Sequence, residues 1–155
     1  MAETARDRLA KIGVTLPQAA APAANYVPFV RQGDLLFISG QLPLEDGKLV
    51  YAGKLGTAVT LADGQKAARL CAVNVLAQAA AALDGDLERI ERIVRVTCFV
   101  ASEPEFVEQH LVANGASDFL VEALGERGRH ARAAVGMASL PRNAAVEVDA
   151  VIAVR

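Results

Sequence analysis

The spacing of apolar positions changes several times along the chain, and each change marks an element. Ala5, Leu9 and Ile12 recur at helical intervals within residues 2–12, where Thr4 and Asp7 have capping-box spacing, so a short amphipathic helix is predicted. Residues 13–24 carry Pro17, Pro22 and a run of alanines; missing backbone donors argue against regular pairing, and the stretch reads as a packed connector. Residues 26–31 and 35–40 favour extended backbone through Phe29, Leu36 and Ile38, and the turn Gln32-Gly33-Asp34 between them predicts a β-hairpin. Residues 48–51, entered through Glu45-Asp46-Gly47, read as a third, weaker strand or an edge.

From Leu61 the period lengthens. Leu70, Val73, Leu76, Ala77, Ala80 and Leu83 fall on one helical face, with Thr60 as N-cap and Asp63 as a favourable first-turn charge. Asp84-Gly85-Asp86 ends this first long helix, and residues 93–100 return to a strand rich in β-branched side chains, charged only at Arg95. Ser102 and Glu105 have the spacing of a second capping box, predicting a helix over 103–124 that Gly125 terminates. Two strands over 131–140 and 145–154 flank Pro141-Arg142-Asn143, and in the last one Val146, Val148, Ala150, Ile152 and Val154 point one way. The order β-β-(β)-α-β-α-β-β implies an α+β two-layer sandwich, a mostly antiparallel sheet with both long helices on one face. Apolar groups remain for the other face, which points to an oligomer.

Composition sharpens this picture. The chain has 155 residues, 53% of them hydrophobic and 22% charged, which excludes wholesale disorder and suits one domain over 1–155, with 1–24 as an accessory helix and connector. Sixteen basic against eighteen acidic residues give a net charge of −2, so no excess of positive charge favours a nucleic-acid partner. No stretch supplies about 20 lipid-compatible residues, so no membrane partner is expected. Cys71 and Cys98 lack CxxC partners and read as buried thiols of a reducing cytoplasm; the first thirteen residues carry both signs of charge and no apolar run, unlike a secretory signal.

Self-standing catalytic signatures, phosphate loops and metal-ligand spacings are missing, and no metal is expected. His110 and His130 stand alone as a helix-surface and a loop histidine. Arg127, Arg129, His130 and Arg132 form a basic cluster that reads either as a solvated loop or as an anion site. Arg132 opens an otherwise apolar strand, and Glu147 alternates against Val146 and Val148 in the strand taken as its hairpin neighbour. The two read either as a cross-strand ion pair worth under about 1 kcal/mol or as two groups of one site.

The segments Phe37-Ile38-Ser39-Gly40-Gln41-Leu42-Pro43, Arg132-Ala133-Ala134-Val135, Ser139-Leu140-Pro141 and Val146-Glu147-Val148-Asp149-Ala150, in this order around two long helices, resemble the Rid (reactive intermediate deaminase, YjgF-like) family. The resemblance spans nearly the whole chain from Asn25 onward. It implies a chorismate-mutase-like fold, a homotrimer with clefts between subunits, and hydrolysis of 2-imino acids to 2-keto acids and ammonia without a cofactor. By the same resemblance Arg132 matches the arginine that grips the substrate carboxylate and Glu147 the glutamate that orients the water. Tyr26, Ser39 and Asn114 match further substrate-binding positions. A binding or holdase-like trimer that takes a small carboxylate without turnover uses Arg132 equally well, and ribonuclease activity, attributed to some relatives, fits the charge balance poorly. The chain departs from the pattern at Ala134, where many members have cysteine, at Gly136 and Met137, and in its longer N-terminus.

Overall fold

The computed structural model describes all residues, Met1–Arg155. Its elements are α1 (Ala5–Lys11), β1 (Phe29–Gln32), β2 (Leu35–Gln41), β3 (Leu44–Glu45), β4 (Lys48–Leu49), α2 (Leu61–Ala82), β5 (Ile90–Ala101), α3 (Gln109–Leu124), β6 (Ala131–Met137) and β7 (Val146–Val154). Five strands form one sheet in the order β1-β2-β7-β5-β6, and β3 with β4 makes a separate small hairpin. Neighbouring strands are antiparallel except β5 and β6, which run parallel because α3 carries the chain back before β6 begins. This is the expected α+β sandwich.

The core lies between the sheet and α2 with α3. Val146, Val148, Ala150, Ile152 and Val154 of β7 are buried at alternate positions, beside Leu36 and Ile38 of β2 and Val96, Cys98 and Val100 of β5. Small side chains set the spacing of the helices. A Cβ on Gly115 would lie 2.0 Å from the Gln65 carbonyl oxygen, so α3 approaches α2 as closely as backbone allows. The Gln65 side-chain amide donates to the Leu111 carbonyl at 3.0 Å across the same contact. The alanine-rich sequence of α2, with Ala67, Ala68 and Ala72 fully buried, is what permits this approach.

Both N-terminal caps on α1 and α2 form as predicted. Thr4 Oγ1 accepts from the Asp7 N–H while the Asp7 carboxylate accepts from the Thr4 N–H, and Thr60 Oγ1 accepts from the Asp63 N–H. Helix α1 docks through the Glu88 carboxylate, which accepts from the Ala5 N–H at 2.7 Å and pairs with Arg127 at 3.2 Å. The connector after it is held by the Gln78 amide, which donates to the Ala20 carbonyl at 2.8 Å.

Several boundaries differ from expectation: the strand expected over 131–140 stops at Met137 and the one expected over 93–100 already begins at Ile90. The second long helix starts at Gln109, six residues later than predicted, and Ser102 caps nothing: its hydroxyl donates to the Val100 carbonyl. Its backbone is needed elsewhere, since the Ser102 N–H donates to Met137 and the Glu103 N–H to Leu55, which holds this stretch extended against the sheet end. Strand β1 starts at Phe29 rather than at Tyr26, because Pro28 precedes it without a donor. Residues 48–51 join neither edge of the main sheet; only Lys48 and Leu49 pair, with β3.

The second sheet face is bare. Val30, Leu35, Phe37 and Val135 lie on it, each between 38% and 50% exposed, with Phe99 and Val151 between them. No helix is long and apolar enough to cross a membrane.

Candidate functional site

Arg132 pairs with Val96 in the parallel ladder, so its side chain leaves the sheet on the helix side, at the edge strand. There it meets one stripe of α3. Its Nη1 donates to Asn114 Oδ1 at 2.9 Å and to Ser117 Oγ at 3.1 Å, and its Nη2 donates to the His110 carbonyl at 3.0 Å. Positions 110, 114 and 117 face one way because they are one helical turn apart. The guanidinium is thereby held with fixed orientation beside a cleft of about 260 Å³ lined by Ser117, Asp118, Val121, Arg129, His130 and Arg132.

His130 extends this network and is half-buried rather than a free loop histidine. Its Nδ1 lies 2.6 Å from the Gly128 carbonyl and its Nε2 lies 2.8 Å from Ser117 Oγ. Since the carbonyl only accepts, the network assigns the proton to Nδ1, and Nε2 accepts from the Ser117 hydroxyl. Burial holds the imidazole pKa below its usual value, with the Arg132 charge adding to the effect against the opposing Gly128 bond. Gly128 is required where it is, because a Cβ would lie 2.1 Å from the Leu120 carbonyl oxygen. The wider basic cluster does not act as one site: Arg127 turns to the Ile90 carbonyl and Glu88, and Arg129 is exposed and paired with Glu126.

Glu147 belongs to a second group of residues. It pairs with Phe99 and so lies on the bare face of the sheet, next to Asp149 on the same side. Partial burial raises the Glu147 pKa above the ordinary carboxylate value, and the Asp149 charge adds to the rise. Its carboxylate sits over Gly40, where a Cβ would come within 2.6 Å of Oε2. Ser39, in the bulge of β2 beside it, donates its hydroxyl to the Pro28 carbonyl at 2.9 Å. Tyr26 is exposed ahead of β1, and its hydroxyl oxygen accepts from the Ala23 N–H at 3.4 Å.

The expectation that Arg132 and Glu147 lie on neighbouring strands is corrected. Strand β5 runs between β6 and β7, and residues 138–145 cross its end instead of folding back as a hairpin. Arg132 is level with Val96 and Glu147 with Phe99, an odd separation, so the two side chains leave opposite faces. They are offset by about 10 Å across two strand spacings and about 10 Å along the strands, and form no ion pair within one chain. Arg132 and Asn114 are brought together; Ser39 and Glu147 lie close on β2 and β7; Tyr26 lies beyond them near the other edge.

Ser117 and His130 were missed as partners of Arg132. The polar stripe His110, Asn114, Ser117, spaced one turn apart along the helix, was the available signal. No three His, Cys, Asp or Glu side chains gather in a metal-binding arrangement. Cys71 and Cys98 are buried; burial pushes the Cys98 thiol up to about 12 and Cys71 well above its usual value. A cleft of about 630 Å³ between α1 and the end of α2 contains none of these residues.

The fold and site define a protein with a five-stranded α+β sandwich, two helices on one face, a bare apolar second face and an arginine fixed at the edge strand. The chain belongs to the YjgF/Rid family: the family profile described as "YjgF/chorismate_mutase-like, putative endoribonuclease" matches residues 6–152. Protein TCP17 of Trypanosoma cruzi is 53% identical over 145 residues, covering 93% of this chain and 90% of that protein. The crystal structure of Atu1372 from Agrobacterium tumefaciens, a protein of unknown function, superimposes with a TM-score of 0.92 at 58% identity, over 97% of this chain and 92% of that one. Escherichia coli TdcF, solved with bound serine, matches with a TM-score of 0.63 at 25% identity, over 89% of this chain and 94% of that one.

Proposed function

We propose that this protein hydrolyses small 2-imino acids to 2-keto acids and ammonia, in clefts formed between the subunits of a homotrimer. The observation that carries this reading is the division of labour on one chain. A fixed guanidinium fork stands beside an open cleft on the helix side, and a carboxylate with a raised pKa stands on the bare apolar face. Packing that face against neighbouring copies removes its apolar side chains from water and brings Glu147 of one subunit towards the Arg132 edge of another. Serine bound to TdcF is a ligand of the right size and charge.

Arg132 anchors the substrate carboxylate through its planar fork. Glu147 accepts a proton from a water as its oxygen bonds to the carbon of the protonated imine, giving a neutral tetrahedral carbinolamine. That proton passes to the nitrogen, and as the C–N bond breaks Glu147 takes the proton of the carbinolamine hydroxyl, so that ammonia leaves and the C=O of the keto acid forms. A base whose pKa is lifted towards neutrality takes the proton more readily than an ordinary carboxylate. The reaction written this way uses no cofactor.

The test compares wild type, Arg132→Ala and Glu147→Gln for ammonia release from freshly generated 2-imino acids and for 2-keto acid binding by calorimetry. Arg132→Ala is expected to lose at least about 1.5 kcal/mol of keto-acid affinity. Glu147→Gln is expected to keep that affinity and lose turnover. Keto-acid binding without imine hydrolysis in wild type assigns the protein instead to small-carboxylate binding, and a monomeric mass in sedimentation removes the shared cleft.

A further inference from the structure

Resting on the reading of Arg132 as a carboxylate anchor, we propose that Ser117 and His130 are positioning residues that couple anion binding at Arg132 to protonation of His130. The coupling is built from three consecutive contacts: His130 Nδ1 at 2.6 Å from the Gly128 carbonyl, His130 Nε2 at 2.8 Å from Ser117 Oγ, and Arg132 Nη1 at 3.1 Å from the same oxygen. With the imidazole neutral, the single hydroxyl proton of Ser117 is committed to Nε2, and its oxygen accepts from Arg132. Ser117 then offers the cleft no donor.

Protonation reverses the Ser117–His130 bond. The imidazolium still donates from Nδ1 to the Gly128 carbonyl, and now also donates from Nε2 to Ser117 Oγ. That oxygen accepts from both His130 and Arg132, and its own proton turns free towards the cleft. An arriving carboxylate meets a guanidinium, a hydroxyl donor and a nearby second positive charge in place of the guanidinium alone. Asn114 Oδ1, at 2.9 Å, keeps Arg132 oriented throughout.

The charges facing His130 set the sign. Arg132 on β6 opposes protonation of His130; Arg129 on the turn before it, paired with Glu126, and Asp118 on α3 are the other charged groups lining the cleft. Burial opposes protonation as well. A carboxylate on Arg132 cancels the nearest opposing charge, so ligand binding raises the His130 pKa and, by reciprocity, protonation of His130 tightens ligand binding. A Ser117–His130 pair that merely braced the fold would not link affinity to pH.

The probe is 2-oxobutyrate, titrated by calorimetry between about pH 5 and pH 8 against wild type, Ser117→Ala, His130→Gln and Arg132→Ala. Wild-type affinity is expected to rise about threefold or more as pH falls across that range, with net proton uptake revealed by buffers of different ionisation enthalpy. His130→Gln is expected to bind with a flatter pH profile than wild type, what remains at the acid end coming from Glu147 of the neighbouring subunit, whose carboxyl pKa is also raised. Ser117→Ala is expected to lose affinity chiefly at the acid end. Proton NMR of wild-type His130 gives a measurement independent of the variants: its pKa should rise on saturation with 2-oxobutyrate, and an unmoved pKa refutes the coupling. Wild-type affinity independent of pH, with binding still lost in Arg132→Ala, overturns the coupling and leaves the anchor standing. No binding by wild type, or equal binding by wild type and Arg132→Ala, overturns the anchor and this inference together.

Discussion

Gly40→Ala should separate the stability of this protein from its catalysis. Gly40 lies in the bulged part of β2, its φ is not in the left-handed region, and alanine is therefore conformationally acceptable there. Replacing glycine at such a site stabilises by about 0.4–1 kcal/mol through the unfolded chain. The new Cβ would sit 2.6 Å from Glu147 Oε2 and 2.7 Å from its Cδ. Restoring an ordinary separation of about 3.5 Å moves the carboxylate by roughly 1 Å, and the displaced atoms are the end of a flexible side chain, so a distorted rotamer costs about 0.5–1.5 kcal/mol. These contributions nearly cancel, and the midpoint of denaturant unfolding should stay within about 1 kcal/mol of wild type. Catalysis has no such compensation. A base displaced by about 1 Å from its water is expected to lose up to about a hundredfold in kcat. The assay is ammonia release from a 2-imino acid generated in the cuvette, run beside a urea melt of the same preparation. Unchanged kcat in a folded Gly40→Ala variant would refute the role given to Glu147, and a large loss of stability would refute the account of the contact.

Two further expectations concern the scaffold. Gly115→Ala places a Cβ 2.0 Å from the Gln65 carbonyl oxygen, where backbone cannot swing aside, so α2 and α3 must separate and stability should fall by about 1–3 kcal/mol or more, read from the urea midpoint; an unaltered midpoint contradicts the close helix approach. Cys71 and Cys98 should react slowly with thiol reagents in native protein and rapidly once unfolded, since burial raises both thiol pKa values and leaves little thiolate; fast native labelling of either one would count against their burial.

The carrying elements of the fold were legible because their signals are local. Thr4 with Asp7 and Thr60 with Asp63 mark helix starts through bonds made within three residues, and the alternation from Val146 to Val154 states which side of β7 is buried. The family resemblance singled out Arg132 and Asn114, and the structure brings the two side chains into contact. What failed depended on distant partners. Ser102 and Glu105 have the spacing of a cap, yet the Ser102 and Glu103 N–H groups are taken by Met137 and Leu55, so the helix waits until Gln109. Consecutive strands look like a hairpin in sequence, but β5 had already claimed both β6 and β7, and that insertion puts Arg132 and Glu147 on opposite faces. His130 gave no signal of its own. Its ring is held between the Gly128 carbonyl and Ser117, and the turn that carries Gly128 packs directly against the Leu120 carbonyl of α3, a contact between a helix and a turn. Sequence by itself determined which residues prefer helix or strand and which side each buries, because those preferences act over a few residues. The tertiary structure decided which backbone donors were left free, which strands became neighbours and which polar groups met, because those outcomes depend on competition among segments far apart in the chain.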